Sequence, residues 1–451
     1  MSKVRIPVIA IFDVGKTNKK LFLFDEHYQI VFERSARFLE TTDEDGFPCE
    51  NLESLRLSVF DSLHEVFRRD EFDIKAINFT SYGASFVYLD ENGRPLTPLY
   101  NYLKEYPEEI QNQLYENQGG EDTFSLATAS PALGSLNSGL QLLRLKVEQP
   151  VVFRQVKYAV HLPQYLSFLV SGKIFSDMTS IGCHTALWDF TKKGYHQWVT
   201  QEGLNHVLAP IVQGNEVFDA AFPGSPYRVG AGLHDSSSAL IPYLLNFHEP
   251  FILISTGTWC ISMNPFNAEE LTKEELDKDT LFYMTYSGTP VKASRLFAGY
   301  EHEQQTKRIA DHFGTTSARF RNMEINWDIV NELKREPISA DLSGFSTIDL
   351  ERYQDVEEAY HALVMHLVEA QVASTALVRS LHTKVTRIFV DGGFSKNNIY
   401  MNLLAAAFSD VEVYAASMAQ ATAIGAALVI HEHWNSLSIP NNIIELRFFR
   451  H

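Results

Sequence analysis

Three short turns in this sequence join glycine to hydroxyl, amide and ammonium groups, the donor set that holds phosphate. The first, FDVGKTNKKLF, carries Asp13, Gly15, Lys16, Thr17, Asn18 and Lys20 between two apolar runs. Successive backbone N–H groups in such a turn form an anion nest, and the side chains add donors. Asp13, at the end of the first run, is placed to hold Mg²⁺ through water. The second turn, STGTW, sets Gly257 between Thr256 and Thr258, so the backbone can approach a phosphate closely while two hydroxyls flank it. The third, GGFSKNN, puts Gly392 and Gly393 where a strand gives way to a helix, with Asn397 and Asn398 able to bond a base or ribose. Apart from these turns, LHDSSSALIPYL places His234 and Asp235 at a predicted helix start after VGAGL, read as a flexible segment. A carboxylate there can take the proton of a hydroxyl nucleophile. Each piece has an ordinary counterpart: a solvated hairpin, a tight turn, a capped helix. Three such turns in two halves of one chain point together to a nucleotide.

The string VGKT is not a P-loop. That motif needs glycine at position 10, which is Ala10, and a helix directly after, where LFLF reads as a strand. The pattern instead predicts a meander: strands over 8–12, 20–24 and 30–38. A helix over 52–69 follows, then strands over 74–79 and 84–89. Helical spacing returns over 141–146 and 162–170. From residue 251 the opening pattern restarts: PFILISTGTWCISM repeats the shape of VIAIFDVGKTNKKLF, with Asp13 opposite Ser255 and Gly15 opposite Gly257. A long helix over 356–381, a strand over 387–391 and an alanine-rich helix over 419–430 complete the second half. The repeat predicts two related α/β domains facing each other, divided near residues 246–250 into 1–246 and 247–451.

Composition narrows the chemistry. The 451 residues are 45% hydrophobic and carry a formal net charge of -18, with no basic stripe to bind nucleic acid. Any phosphate must therefore be held by backbone dipoles and a few placed cations. Cys49, Cys183 and Cys260 are odd in number and far apart, which fits reduced thiols better than a disulfide framework or a zinc site. His431 and His433 lack further ligands nearby and read as surface residues. No run approaches the roughly eighteen apolar residues of a membrane span, and the start lacks a secretory cleavage pattern. The expectation is a cytoplasmic globular protein that binds neither nucleic acid nor membrane.

These pieces, in this order, resemble the FGGY carbohydrate kinases of the actin, sugar-kinase and heat-shock ATPase superfamily. FDVGKTNKKLFLFD resembles that family's first phosphate motif, and VDGGFSKNN its adenosine motif. LHDSSSA followed by STGTW is similar to the HDTASA…SSGTW pair of rhamnulokinases, while SYGASF, SLNSGLQL and LPQYLSFLVSGKIFSDMTS resemble further segments of the L-rhamnulokinase and L-fuculokinase branch. The resemblance covers residues 8 to 430. It implies two ribonuclease-H-like domains with a cleft between them, closing on a sugar and MgATP. By the same resemblance Asp235 is the general base, Asp13 the Mg²⁺ site and Lys20 a phosphate contact. The sugar would lie against Tyr82, Gly83, Ser85, Tyr102, Asn137, His234 and Asp235, with Tyr82, Phe86 and Leu136 as an apolar wall. Several positions depart from the family: Lys16 and Phe394 replace small residues, Ser85 replaces Asp, and Tyr102-Leu103-Lys104 replaces Trp-x-Asp. The implied acceptor is a ketose, L-rhamnulose or L-fuculose ahead of D-xylulose and glycerol. A superfamily ATPase and a non-catalytic sugar or nucleotide sensor remain as alternatives, and a homodimer stays open.

Overall fold

The computed structural model describes residues 5–16, 18–36, 39–222, 224–334, 342–418 and 420–450. β1 (Ile6–Val14), β2 (Lys19–Asp25) and β3 (Ile30–Ala36) form the antiparallel meander that the sequence predicts. Helix α1 (Leu52–Phe67), capped by the Asn51 side chain, leads to β4 (Phe72–Ser81), which lies parallel to β1. After α2 (Ser138–Glu148) and α3 (Leu162–Ser171), the short strands β5 (Val217–Asp219), β6 (Arg228–Gly230) and β7 (Leu233–His234) join the same sheet. Its order is β5-β6-β4-β1-β2-β3, with β7 also paired to β4.

Helix α4 (Asp235–Asn246) follows, and a second sheet is built from β8 (Phe251–Thr256), β9 (Cys260–Asn264), β10 (Thr280–Met284), β11 (Pro290–Leu296), β12 (Arg387–Gly392), β13 (Glu412–Ser417) and β14 (Glu445–Phe449). The order is β10-β11-β9-β8-β12-β13-β14. Helices α5 (Ala298–His312), α6 (Val356–Ala376), α7 (Asn398–Ala407) and α8 (Ala421–Leu428) belong to this half of the chain. The short repeat in the sequence is structural. Each lead strand, β1 or β8, pairs antiparallel with the next strand and parallel with a later one, setting Asp13 beside Thr80 and Ser255 beside Asp391.

Two-residue periodicity sorts the strands between layers. Val8, Ala10, Phe12, Leu21 and Leu23 pack outward with α1 and α3, while Ile9, Ile11, Phe22 and Phe24 pack inward. In the second sheet Ile252 and Ile254 face α6 and α7, and Phe251 and Leu253 face inward. The shared middle layer is α4 against α8, so the central strands of both sheets are buried on both faces. That is why β2 is continuously buried over Leu21 to Phe24, where alternation predicts a half-exposed hairpin. The two helices touch at Gly425, where a Cβ would stand 1.9 Å from the Ser238 carbonyl oxygen.

The strand expected over 30–38 is present as β3 through Ala36, and residues 37 and 38 lie outside those described. Three local expectations are corrected. The strand predicted from Ala84 begins at Phe86, because Ala84 takes the left-handed conformation (φ 60°). The VGAGL segment is not flexible: Val229 and Leu233 are fully buried in β6 and β7. His431 is no bystander at the surface. Its Nδ1 lies 2.6 Å from the Tyr28 hydroxyl, and its ring stacks on Tyr28, pinning the C-terminal half to the β2–β3 turn.

Candidate active site

The acidic centre is made by two chain ends meeting. β1 delivers Asp13 on the inward face it shares with Ile9 and Ile11, at the carboxyl end of a parallel pair, where open α/β sheets place ligands. Thr422, in the first turn of α8, donates its hydroxyl to Asp13 Oδ2 at 2.6 Å. Asp235 opens α4 and accepts the Ser236 backbone N–H at 2.6 Å. Burial pushes Asp13 up to about 6, against the Thr422 hydrogen bond; the Asp235 charge adds to the rise and Lys20 opposes it. Burial likewise raises Asp235 to about 6, with its bonds to Ser236 opposing. Its side chain keeps 32% of its surface open, enough for a hydroxyl to reach it. An ionised carboxylate with a pKa near the working pH suits a general base.

His234 supports this carboxylate. Its backbone N–H donates to Thr179 Oγ1 at 2.9 Å, and Thr179 in turn donates to the buried Asp177. Its Nε2 lies 3.2 Å from both Asp235 Oδ1 and Cys183 Sγ, and burial keeps the imidazole neutral, at about 3. Gly83 is required by this packing, since a Cβ there would come within 2.6 Å of Cys183 Sγ and 3.1 Å of the His234 ring.

The first turn closes through Gly15 N–H to the Asn18 carbonyl at 2.9 Å; Thr17 lies outside the described residues. Lys20 is Asp13's cross-strand neighbour, yet its ammonium lies 2.5 Å from Glu33 on the sheet. Lys16 instead stands over the rings of Tyr82 and Tyr102, 3.5 Å from Glu50. Glu50, which no motif signals, is nearly buried and accepts the Tyr82 hydroxyl at 2.9 Å. Tyr102 stands close enough to both acids that, after burial, the charges of Asp235 and Glu50 hold its phenol above the usual range.

Other expected sugar contacts are spent or set back. The Asn137 side chain donates to the His184 carbonyl at 2.8 Å and accepts Leu133 N–H at 2.9 Å, so it holds a loop. Lys104 pairs with Asp43 at 2.5 Å and Asp45 at 2.6 Å and offers no free charge to a substrate. Phe86 is fully buried against the His161 ring at 4.1 Å, so it stands behind the pocket wall. Ser85 Oγ is buried with no hydrogen-bond partner among the described residues, as is Gln141 Oε1. Such atoms await a ligand or water.

On the other side lies a cavity of about 680 Å³ lined by Thr256, Gly257, Gly299, Tyr360, Gly393 and Asn397. Thr256 is its hinge pin: its hydroxyl donates to the Asp391 carbonyl at 2.5 Å and accepts Phe394 N–H at 3.0 Å, and its carbonyl accepts Gly393 N–H at 2.9 Å. Two pairs of glycines play opposite parts. At Gly392 (φ 92°) and Gly299 a Cβ would stand 1.9 and 1.8 Å from backbone carbonyls, so these glycines serve the fold. At Gly257 and Gly393 the nearest atoms to a Cβ are 3.9 and 4.0 Å away, so a side chain there enters the cavity. Gly257→Val and Gly393→Val are therefore expected to fold normally and to weaken ATP binding by roughly tenfold or more, the equivalent of about 1–3 kcal/mol of overpacking. Calorimetric titration with unchanged ATP affinity would remove both from the site.

Thr258 is exposed beside this cavity, its carbonyl accepting Tyr300 N–H at 3.1 Å. Asn397 does not face a base freely: its Oδ1 caps α7 through Tyr400 N–H at 3.0 Å, and its Nδ2 donates to the Tyr360 hydroxyl at 2.8 Å. Motif reading missed Tyr360, with its His302 partner at 3.0 Å and Phe320 stacked on it at 4.4 Å, because these come from α6, α5 and a short 3₁₀ turn that carry no motif. It also gave no role to Asp391, whose carboxylate accepts the Tyr243 hydroxyl at 3.2 Å.

Residues 8–240 match the N-terminal domain of the FGGY family of carbohydrate kinases, and residues 248–437 match a carbohydrate kinase FGGY C-terminal domain. The rhamnulokinase of Halalkalibacterium halodurans is 25% identical over 258 residues, covering 55% of this chain and 52% of that protein. The rhamnulokinase of Mannheimia succiniciproducens is 25% identical over 263 residues, covering 56% and 52%. The chain thus spans about half the length of the curated relatives it matches. A carbohydrate kinase from Novosphingobium aromaticivorans superposes with a TM-score of 0.81 at 24% identity, over 99% of this chain and 95% of that one. A ligand-bound xylulose kinase from Lactobacillus acidophilus gives 0.79 at 17% identity, over 98% and 93%. Both show the same two-domain sugar-kinase fold. With both of its halves matched in order, the chain belongs to the FGGY family of carbohydrate kinases.

Proposed function

We propose that this chain is an ATP-dependent carbohydrate kinase whose acceptor is a ketose. The observation that carries the reading is Asp235: a carboxylate raised to about 6, partly open, within electrostatic reach of Asp13. Residues 1–246 supply the sugar and phosphate side with Asp235, and residues 247–451 the nucleotide side. Asp235 takes the proton of the acceptor hydroxyl as that oxygen forms its bond to the γ-phosphorus. The bond from the γ-phosphorus to the bridging oxygen breaks, and ADP leaves with that electron pair. The Gly15, Gly257 and Gly393 N–H groups close onto backbone carbonyls within their turns, and at Gly257 and Gly393 the missing side chain leaves the space by which the phosphates approach. Around Asp13 the donor set is all oxygen, two carboxylates and a threonine hydroxyl, the set that hard divalent cations take. Mg²⁺ held by Asp13 would supply positive charge to the phosphates. The buried free cysteines fit a reducing, cytoplasmic setting, and no described helix is long and apolar enough to cross a membrane.

For the acceptor, the rhamnulokinase relatives favour a 6-deoxyketose. Tyr82 and Leu136 can face its methyl group, and Ser85 Oγ and Gln141 Oε1 have hydrogen-bonding capacity to spare. One methyl contact is worth roughly 1 kcal/mol, so preference should be modest, on the order of tenfold. Coupled ADP detection should rank kcat/KM for L-rhamnulose and L-fuculose above D-xylulose and glycerol. Glycerol ranking first would overturn the ketose assignment, and ADP release independent of any sugar would overturn the kinase in favour of an ATPase.

A further inference from the structure

Lys16 stands apart from the other basic groups of the site. The Glu50 carboxylate faces two ammonium groups, Lys19 at 3.2 Å on Oε2 and Lys16 at 3.5 Å on Oε1, and Oε1 also accepts the Tyr82 hydroxyl. Two ammonium groups thus share one carboxylate. Lys19 is the deeper and closer partner, with 12% of its side chain exposed against 32% for Lys16. The rest of the Lys16 enclosure is two aromatic faces, Tyr82 at 5.5 Å and Tyr102 at 5.4 Å. Ring faces stabilise a cation without accepting its N–H groups as oxygen does. Among the described residues Lys16 therefore keeps donors for a further acceptor, whereas Lys20 is engaged by Glu33 at 2.5 Å.

We infer that Lys16, more than Lys20, is the cation that meets the γ-phosphate of ATP, leaving Glu50 to Lys19 as it moves. This rests on the kinase reading. Lys16 sits three residues past Asp13 in the first turn, and Tyr102, one wall of its cage, lies within electrostatic reach of Asp235. The cage thus holds the charge on Glu50. An oxyanion of the transferring group, bearing more charge than one carboxylate, draws the ammonium out through charge-assisted hydrogen bonds.

Calorimetric titration of the full chain with MgATP and MgADP tests this. Lys16→Met should weaken ATP binding by roughly 10- to 100-fold, the range for hydrogen bonds to charged groups, and ADP binding by less than about threefold. Lys16→Arg should restore most of the ATP affinity, and Lys20→Met should lose less of it than Lys16→Met. Equal losses for ATP and ADP, no loss at Lys16, or a larger loss at Lys20 would each overturn the assignment while the kinase reading stands. A selective loss of affinity for an acidic sugar, with ATP binding intact, would place the charge on the acceptor and overturn it also. If the parent protein bound neither nucleotide, the kinase reading and this inference would fall together.

Discussion

Asp235→Asn is expected to lower sugar-dependent turnover by about a hundredfold or more, the usual worth of a general base, while ATP binding persists. The change keeps the shape of the side chain and the oxygen that accepts Ser236 N–H, so the start of α4 is preserved. What disappears is the proton acceptor. In the parent, turnover should rise with pH through about 6 as the carboxylate ionises, and this limb should be absent from the variant's residual rate. Asp13 titrates in the same range, so the observed midpoint belongs to the pair. Stability should move the other way. A carboxyl whose folded pKa is raised above its unfolded value of 3.8 binds more protons folded than unfolded between about 4 and 6, so stability falls as pH rises through that window. Asparagine carries no charge to bury, and the variant should melt higher than the parent at pH 7 by scanning calorimetry. Parental turnover in a folded variant would remove Asp235 from the chemistry; a lower melting temperature would contradict the burial argument.

Gly425→Ala should destabilise the protein, although helix propensity predicts the reverse. In an exposed helix that exchange gains about 1 kcal/mol. Here the new methyl would stand 1.9 Å from the Ser238 carbonyl oxygen and 2.9 Å from its hydroxyl, so α4 and α8 must part. Overpacking of this kind costs about 1–3 kcal/mol and sometimes more. The parting also carries Thr422 away from Asp13 and α4 away from the cleft, so activity should fall together with stability. Urea unfolding with an unchanged or higher midpoint would show that the interface yields without cost.

The fold was legible wherever local pattern and tertiary burial agree. Alternation along Val8 to Phe12 and Phe251 to Ile254, with glycine at each turn, was enough to reveal the repeat that became two sheets. Asp13, Gly257 and Gly393 were readable because backbone turns impose their own residue types. Side chains completed by distant partners were not. Nothing around Glu50 marks it as the partner of Tyr82, and nothing in the alanine-rich helix marks Thr422 as the donor to Asp13, 409 positions away. Asn397 and Lys104 show the converse: each looks free in sequence, and each is bonded to a neighbour brought in by the fold. Segment 228–233 looked mobile because glycine is permissive, yet a carbonyl only 2.5 Å from where a Gly232 Cβ would stand shows how tightly it is packed.

The joining of the chain's two ends bears on how the protein is made. Ile9, Ile11, Phe22 and Phe24 leave a ribosome early, but the α8 residues that help cover them, Ala423 and Ile424 among them, emerge some four hundred residues later. At typical synthesis rates of 5–20 residues per second that interval is roughly 20–80 s. Through that time the inward face of the first sheet has no α8 to lie against. The nascent chain therefore exposes an apolar sheet face for longer than most small domains take to fold, and it should depend on holding chaperones until Tyr28 meets His431 and Glu26 meets Ser436.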